Sequence, residues 1–331
     1  MTTKVAINGF GRIGRNVLRA IVESGRTDLE VVAINDLTPV DNSAYLFKYD
    51  SVHKVFPGEV KHTSTSIDVG SGPIEVTAER DPAKLDWSGV DVALECTGIF
   101  KDREKAESYL KAGASKVLIS APGKGADKTV VFGVNEDTLT ADDRIVSNGS
   151  CTTNCLAPVA KALHDAFTIE DGLVTTVHAY TGSQPTLDRG NRNWERGRAA
   201  AVSMVPTSTG AAKAVGLVLP ELNGKLNGFA IRVPTPNVSC IDFTFNTSTA
   251  LSVEAINAAL IAAAGQRSEV LGTTDLPLVS IDLNHDPRSS IVALPETTVQ
   301  GRMGRVLSWY DNEWGFSNRM GDVAALMGSL S

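Results

Sequence analysis

Lys4-Val5-Ala6-Ile7-Asn8-Gly9-Phe10-Gly11-Arg12-Ile13-Gly14-Arg15 is the stretch that decides the fold. Lys4 to Asn8 reads as a short β-branched strand. From Arg12 to Glu23 the apolar residues Ile13, Val17, Leu18 and Ile21 fall on one helical face, and Gly25 suits the end of that helix. Between strand and helix stands G-x-G-x-x-G. Alone the motif is weak, because glycine-rich turns are common. Here a strand precedes it, a helix follows it, and a second strand, Leu29 to Ile34, runs into Asn35-Asp36. Asp36 lies 22 residues beyond Gly14, close to the ~20 expected of an acid that takes ribose hydroxyls. Gly9 and Gly11 let the backbone turn and approach a pyrophosphate, which a helix N-terminus attracts. A purely structural turn is the alternative; the context makes a dinucleotide the expected ligand.

Working outward, the alternation of strand and helix continues. Val90 to Cys96 is a near-continuous apolar strand, Arg103 to Lys111 a helix and Lys116 to Ser120 another strand. Thr97 and Ser120 then stand at strand C-terminal ends, where an open α/β sheet binds ligands, although loop capping explains them equally well. Between Val40 and Gly89 short alternating segments such as Ile74-Glu75-Val76-Thr77 predict antiparallel pieces that extend the sheet. The second half changes character. Leu173 to His178, Gly228 to Arg232, Ser239 to Asn246 and Arg305 to Tyr310 read as strands, with helices over Thr209 to Leu219 and Val253 to Ala264. The expected fold is α/β: a Rossmann-type doubly wound parallel sheet over 1–150, then an α+β catalytic domain with a mainly antiparallel sheet over 151–314.

Composition sets the outer bounds. A chain of 331 residues suits two domains at roughly 100–200 residues each. A formal net charge of -7 argues against a nucleic-acid surface. Four cysteines without short, even spacings fit a reducing compartment better than a disulfide scaffold. The N-terminus turns straight into a strand, so no leader is expected, and no apolar stretch approaches the ~20 residues that span a bilayer. A cytoplasmic location follows, with neither membrane nor nucleic acid as partner.

Cys151 follows a short strand, Asp143 to Ser147, and opens a helix that the apolar spacing predicts over Thr152 to Phe167. A helix N-terminus offers free N–H groups and a positive dipole end, which favour thiolate over thiol. His178, at the end of a strand, is the candidate base. A buried cysteine and a core histidine are the bland readings of the two taken singly. Cys155, four residues on, invites a disulfide or metal reading; the strain of an intrahelical disulfide and the absence of a completing ligand set favour packing, and no metal is expected. Cys96 and Cys240 read as packed.

Asn8 to Arg15, Ser120-Ala121-Pro122, Ser150-Cys151-Thr152-Thr153-Asn154-Cys155, Thr207-Ser208-Thr209-Gly210-Ala211-Ala212-Lys213 and Trp309-Tyr310-Asp311-Asn312-Glu313-Trp314 together resemble the phosphorylating glyceraldehyde-3-phosphate dehydrogenases. The resemblance runs from Lys4 to the C-terminus, and its cysteine motif is far more specific than its glycine motif. It implies that Cys151 attacks an aldehyde, hydride leaves for NAD, and inorganic phosphate releases the thioester, with His178 lowering the thiol pKa as an ion-pair partner and acting as general base. It implies cofactor contacts at Gly9, Gly11, Arg12, Ile13, Gly14, Asp36, Arg80, Thr97, Ser120 and Asn312, the last orienting the nicotinamide carboxamide. Thr181 and Arg232 would hold the substrate phosphate; Ser150, Thr152, Thr209, Gly210 and Arg196 would hold inorganic phosphate. A homotetramer and a C-terminal helix, 315–331, returning to the NAD-binding domain are also implied.

One loop departs from the family. Where NAD-dependent members usually carry Asp-x-Pro-His-Lys-Asp-Leu-Arg-Arg, this chain has Asp188-Arg189-Gly190-Asn191-Arg192-Asn193-Trp194-Glu195-Arg196. Asp36 repels a 2′-phosphate, so NAD comes first, while Arg189 and Arg192 admit some use of NADP. A relative that oxidises erythrose 4-phosphate with water as acyl acceptor, and a dinucleotide-binding protein without turnover, are the competing readings. The intact Cys151, His178 and Asn312 weigh against the second of these.

Overall fold

The structure is a computed structural model that describes residues 2–330. Its chain forms two compact units. One runs from the first strand to Val130 and includes Glu136–Gly149 and the chain from Ser317 onward; the other comprises Val131–Asn135 and Ser150–Phe316.

The first unit is built on a nine-stranded sheet. Its order is Lys128–Thr129, Ile145–Ser147, Lys116–Ile119, Val92–Glu95, Thr3–Asn8, Leu29–Asn35, Pro73–Thr77, Ser66–Asp68 and Lys61–His62. The first seven run parallel, and the last two complete an antiparallel edge. Val5, Ala6, Ile7, Val92, Ala93 and Leu94 are fully buried, as expected where crossover helices cover both faces and a strand has no solvent side. Helices Arg12–Glu23 and Arg103–Lys111 form where the apolar periodicity placed them. The chain leaves Thr3–Asn8 for one neighbour and later returns to the other side, so the strand ends open a crevice there.

The segment from Val40 to Gly89 needs a correction. It does contain short antiparallel strands, but it begins with a helix, Val40–Lys48, that the sequence pattern did not predict. Only Ser43, Ala44 and Phe47 are buried along it, and Pro39 stands at its N-cap without a side-chain bond. Phe47 packs between Phe10 and Phe56, with ring centroids 6.1 and 4.9 Å away. Tertiary packing therefore holds a helix whose own periodicity is faint.

The second unit carries an eight-stranded, mainly antiparallel sheet. Its path runs Val205–Ser208, Leu226–Val233, Ile169–Ala179, Ser239–Thr247, Met303–Tyr310, Ser290–Ala293 and Leu271–Thr274, with Thr298–Gln300 paired beside Met303–Tyr310. Val174, Phe243, Phe245 and Val306 face a core shared with Leu156, Val159 and Leu163 of helix Cys151–Phe167, Val215 of helix Ala211–Val218 and Leu260 of helix Val253–Gln266. Residues alternate between faces along a strand, so Leu173, beside buried Val174, points away from these helices and is exposed. Parallel register places His178 opposite Arg232 on neighbouring strands.

Candidate active site

In the first unit the strand ends surround a cavity of about 480 Å³ lined by Asn8, Gly9, Gly11, Asp36, Arg80 and Thr97 among others. The glycines have distinct reasons to be glycine. Gly9 has φ +91°, and a Cβ there would stand 2.7 Å from the Thr97 nitrogen. A Cβ on Gly14 would lie 2.1 Å from the Gly9 carbonyl oxygen, so Gly14 closes helix onto strand. A Cβ on Gly11 would meet nothing within 4 Å; this glycine keeps open the approach to the N-terminus of helix Arg12–Glu23. That open approach, beside an acid at the end of the second strand, fits a dinucleotide.

Asp36 accepts from the Phe10 N–H at 2.5 Å and from the Thr38 N–H at 2.8 Å, which ties the glycine turn to the second strand. Beneath the cavity runs a buried polar chain: Asn35 donates to the Asn8 side-chain oxygen at 2.6 Å, Asn8 to the Tyr109 hydroxyl at 2.5 Å, and Tyr109 to Glu95. Glu95 also accepts from the Thr97 hydroxyl and the Gly98 N–H, setting the turn that lines the cavity. Cys96 stands one residue past strand Val92–Glu95 and lines the cavity, with part of its surface exposed; Cys240 is buried. Burial pushes the Cys96 thiol up.

Not every sequence-predicted contact gathers there. Arg12 is paired with Asp50. Burial works against ionisation of Asp50, but the Arg12 guanidinium and the N–H groups of His53 and Val52 outweigh it and hold the carboxyl down at about 2. Ile13, Gly14 and Ser120 are not among the lining residues; the Ser120 hydroxyl hydrogen-bonds the Cys96 thiol. Asn312 belongs to the second unit.

There, Ser150 caps helix Cys151–Phe167 by accepting from the Thr153 N–H at 3.1 Å, which places Cys151 at the first helical position. Its Sγ lies 3.4 Å from His178 Nε2. The other ring nitrogen, Nδ1, is 2.7 Å from the Ala179 carbonyl oxygen, which can only accept. Nδ1 therefore carries the proton and Nε2 is left to receive one from the thiol. Tyr310, fully enclosed, hydrogen-bonds Thr152 and Thr176 at 2.8 Å each, and so fastens the helix start to the strand of His178.

Burial pushes the Cys151 thiol up, against the pull of Arg232 and the helix N–H groups. Burial, then Arg232, then Arg196 push His178 down to about 3, opposed only by its bond to Ala179. Burial thus disfavours both the thiolate and the imidazolium, and the two arginines add to the pull against imidazolium.

Those arginines stand ready for an anion. Arg232 donates to the Ala179 carbonyl at 3.1 Å and to Thr181 at 3.4 Å, while its Nε and that of Arg196 are buried with no partner, and neither has an acidic partner among the described residues. Thr209 accepts from the Ala211 N–H at 3.2 Å, and Gly210 is the N-cap of helix Ala211–Val218, with open space where a Cβ would stand. The helix starts two residues later than the sequence spacing predicts, with the Thr209 hydroxyl engaged in a local turn bond just ahead of it. In the loop from Asp188, a bond from Arg198 Nε to the Asp188 carboxylate and another from the Arg189 N–H to the Gly197 carbonyl close the chain on itself, and Trp194 is left exposed.

Asn312 sits in a turn built by Asp311. That buried carboxylate accepts from the N–H groups of Glu313, Trp314 and His285 and from the Asn237 amide, at 2.7–2.9 Å. Asn312 Oδ1 accepts from the Ser239 hydroxyl at 2.8 Å. Ser239, Tyr310 and Glu95 escaped the sequence reading; the signal was a polar residue on the inward phase of an otherwise apolar strand.

Residues 3–103 match the family model of the glyceraldehyde 3-phosphate dehydrogenase NAD binding domain, and residues 150–312 that of the C-terminal domain. The chain is 66% identical over its whole length, and the whole of the relative, to a glyceraldehyde-3-phosphate dehydrogenase of Xanthobacter flavus. It is likewise 64% identical, with both chains fully covered, to that of Cereibacter sphaeroides, and 57% identical to that of Pseudomonas aeruginosa, with 98% of each chain covered. With a dinucleotide cavity at the ends of a parallel sheet and a helix-borne thiol beside a histidine, the chain belongs to the glyceraldehyde-3-phosphate dehydrogenase family.

Proposed function

We propose that this chain oxidises glyceraldehyde 3-phosphate at Cys151 with NAD and passes the acyl group to inorganic phosphate, giving 1,3-bisphosphoglycerate. The observation that carries this reading is the Cys151–His178 pair, 3.4 Å apart, beside two arginines whose buried Nε atoms have no partner among the described residues. A thiol and base alone suit many reactions; unspent guanidinium donors next to them suit a phosphorylated aldehyde and a phosphate acceptor.

Cys151 Sγ adds to the aldehyde carbon while its proton passes to His178 Nε2 and on to the former carbonyl oxygen, giving a thiohemiacetal. NAD, when bound, accepts the hydride from that carbon. His178 takes the hydroxyl proton as the carbonyl reforms, leaving a thioester on Cys151. Phosphate oxygen then attacks the thioester carbon, the C–S bond breaks, and Sγ recovers a proton. Arg232 and Thr181 hold the substrate phosphate; Arg196, Ser150, Thr152, Thr209 and Gly210 hold the incoming one. A phosphate dianion on these arginines offsets two of the three influences that push the His178 pKa down, so substrate binding strengthens the base. Gly9, Gly11, Gly14, Asp36, Arg80 and Thr97 serve the cofactor, and Asp36 favours NAD over NADP by repelling a 2′-phosphate.

The exposed apolar residues of the second unit support a homotetramer. Leu187, Trp194, Val202 and Met204 are 77, 86, 80 and 74% exposed, and Leu173 and Phe229 add to them from the uncovered sheet face. Among the described residues no helix is long and apolar enough to cross a membrane, and all four cysteines are free, which suits the cytoplasm.

Reduction of NAD followed with glyceraldehyde 3-phosphate, with and without inorganic phosphate, tests the reading. Strong phosphate dependence is expected. Equal sustained turnover without phosphate would mean that water accepts the acyl group, and would overturn it.

A further inference from the structure

We propose that Ser239 is a positioning residue that fixes which way the Asn312 amide points, and that it does so through the same backbone residue that orients His178. The inference rests on the reading of Asn312 as the holder of the nicotinamide carboxamide.

Both backbone groups of Ala179 are used. Its carbonyl accepts from His178 Nδ1 at 2.7 Å and from Arg232 at 3.1 Å. Its N–H donates to Ser239 Oγ at 3.0 Å. Ser239 is 1% exposed, and its hydroxyl hydrogen, with the oxygen already serving as acceptor, goes to Asn312 Oδ1 at 2.8 Å. The order of donors is therefore directional. An N–H that can only donate makes the hydroxyl oxygen an acceptor; its hydrogen then selects the oxygen end of the amide rather than the NH₂ end. Asn312 Nδ2 is left with no protein partner among the described residues and is available to donate to a ligand carbonyl. Without the hydroxyl, the two ends of the amide are close to interchangeable in shape, and none of the bonds of the Asp311 turn distinguishes them. Asp311 places the Asn312 backbone; Ser239 sets its side chain.

The test compares NAD with ADP-ribose, which lacks the nicotinamide, by titration calorimetry on the full chain. Ser239→Ala is expected to cut the preference for NAD over ADP-ribose by about tenfold, the scale of one well-made hydrogen bond, while ADP-ribose binds as before. Asn312→Ala is expected to show the same loss. A serine with only a structural role would lower the unfolding midpoint and leave the ratio unchanged. If Asn312→Ala loses the preference and Ser239→Ala keeps it, the positioning role is overturned and the reading of Asn312 stands. If Asn312→Ala keeps it, the reading of Asn312 falls and the inference with it. Should Ser239→Ala not fold, Ser239→Cys, close in shape and a much weaker donor, gives the same readout.

Discussion

The two units present their functional groups by different means. In the first, the ligand-facing surface is made largely of main chain and short side chains at the ends of parallel strands: two glycines, Thr97 and an aspartate that itself braces the glycine turn. In the second, the reacting surface is made of long or reactive side chains drawn from positions as far apart as Ser150 and Asn312, each held by a bond to something else. The first kind of site is sensitive to shape and the second to chemistry. A single added methyl group should damage one, and a single exchanged atom the other.

Exchanging one atom gives the largest expected effect. Cys151→Ser keeps the volume but replaces thiol by hydroxyl, and turnover is expected to fall by roughly 10³-fold or more. Its affinity for NAD, measured by titration, should stay at the parent value, because the glycine cavity belongs to the other unit. Substantial remaining turnover would remove Cys151 from the nucleophile's role and blur the contrast between the sites.

Adding a methyl group tests the other half. At Gly14 a Cβ would stand 2.1 Å from a backbone oxygen that cannot step aside, so Gly14→Ala is expected to cost about 2–3 kcal/mol of stability along with NAD binding. At Gly11 there is open space, so Gly11→Ala should melt at the parent temperature yet bind NAD about tenfold more weakly, its methyl standing where a pyrophosphate approaches. Equal melting temperatures for the two variants would contradict the division of labour between these glycines.

Much of this was legible in the sequence, unevenly. The motif from Gly9 to Gly14 could be read because a local pattern encodes a local geometry, and helices Arg12–Glu23 and Arg103–Lys111 formed over the predicted residues. Helix Val40–Lys48 was missed because aromatic contacts to Phe10 and Phe56, not its own periodicity, stabilise it. In the second unit no spacing in the chain brings residues 151, 178, 232, 239 and 312 together. Residues 178, 232 and 239 are neighbours only through sheet register; the roles expected of His178 and Arg232 came from family resemblance rather than pattern, and Ser239 was visible through neither. The downward pull on the imidazole pKa was not legible either, since it comes from burial and from arginines distant in sequence.

The smallest effect concerns a residue that supports the shape-dependent site from outside. Asp50, paired with Arg12, has its carboxyl held at about 2 in the folded chain, below the ~3.9 of an unfolded aspartate. A depressed carboxyl contributes stability above its unfolded value and loses it as pH falls through the folded one. Asp50→Asn is therefore expected to cost about 1–2 kcal/mol at pH 7, with the gap closing between about pH 4 and pH 2. Urea unfolding of both proteins across that range measures it; a gap independent of pH would show that packing, not charge, is what Asp50 supplies.

Ala179 contributes to the reacting site solely through atoms that every amino acid except proline possesses. Its methyl group is fully buried and touches none of the chemistry, while its N–H and carbonyl serve the base, an arginine and a serine at once. A survey that replaces side chains one at a time would pass over it, because the information stored there is not in the residue's identity. An ester in place of the amide nitrogen would silence the branch toward Ser239 and leave the branch toward His178 intact, separating the two with both side-chain partners still in place.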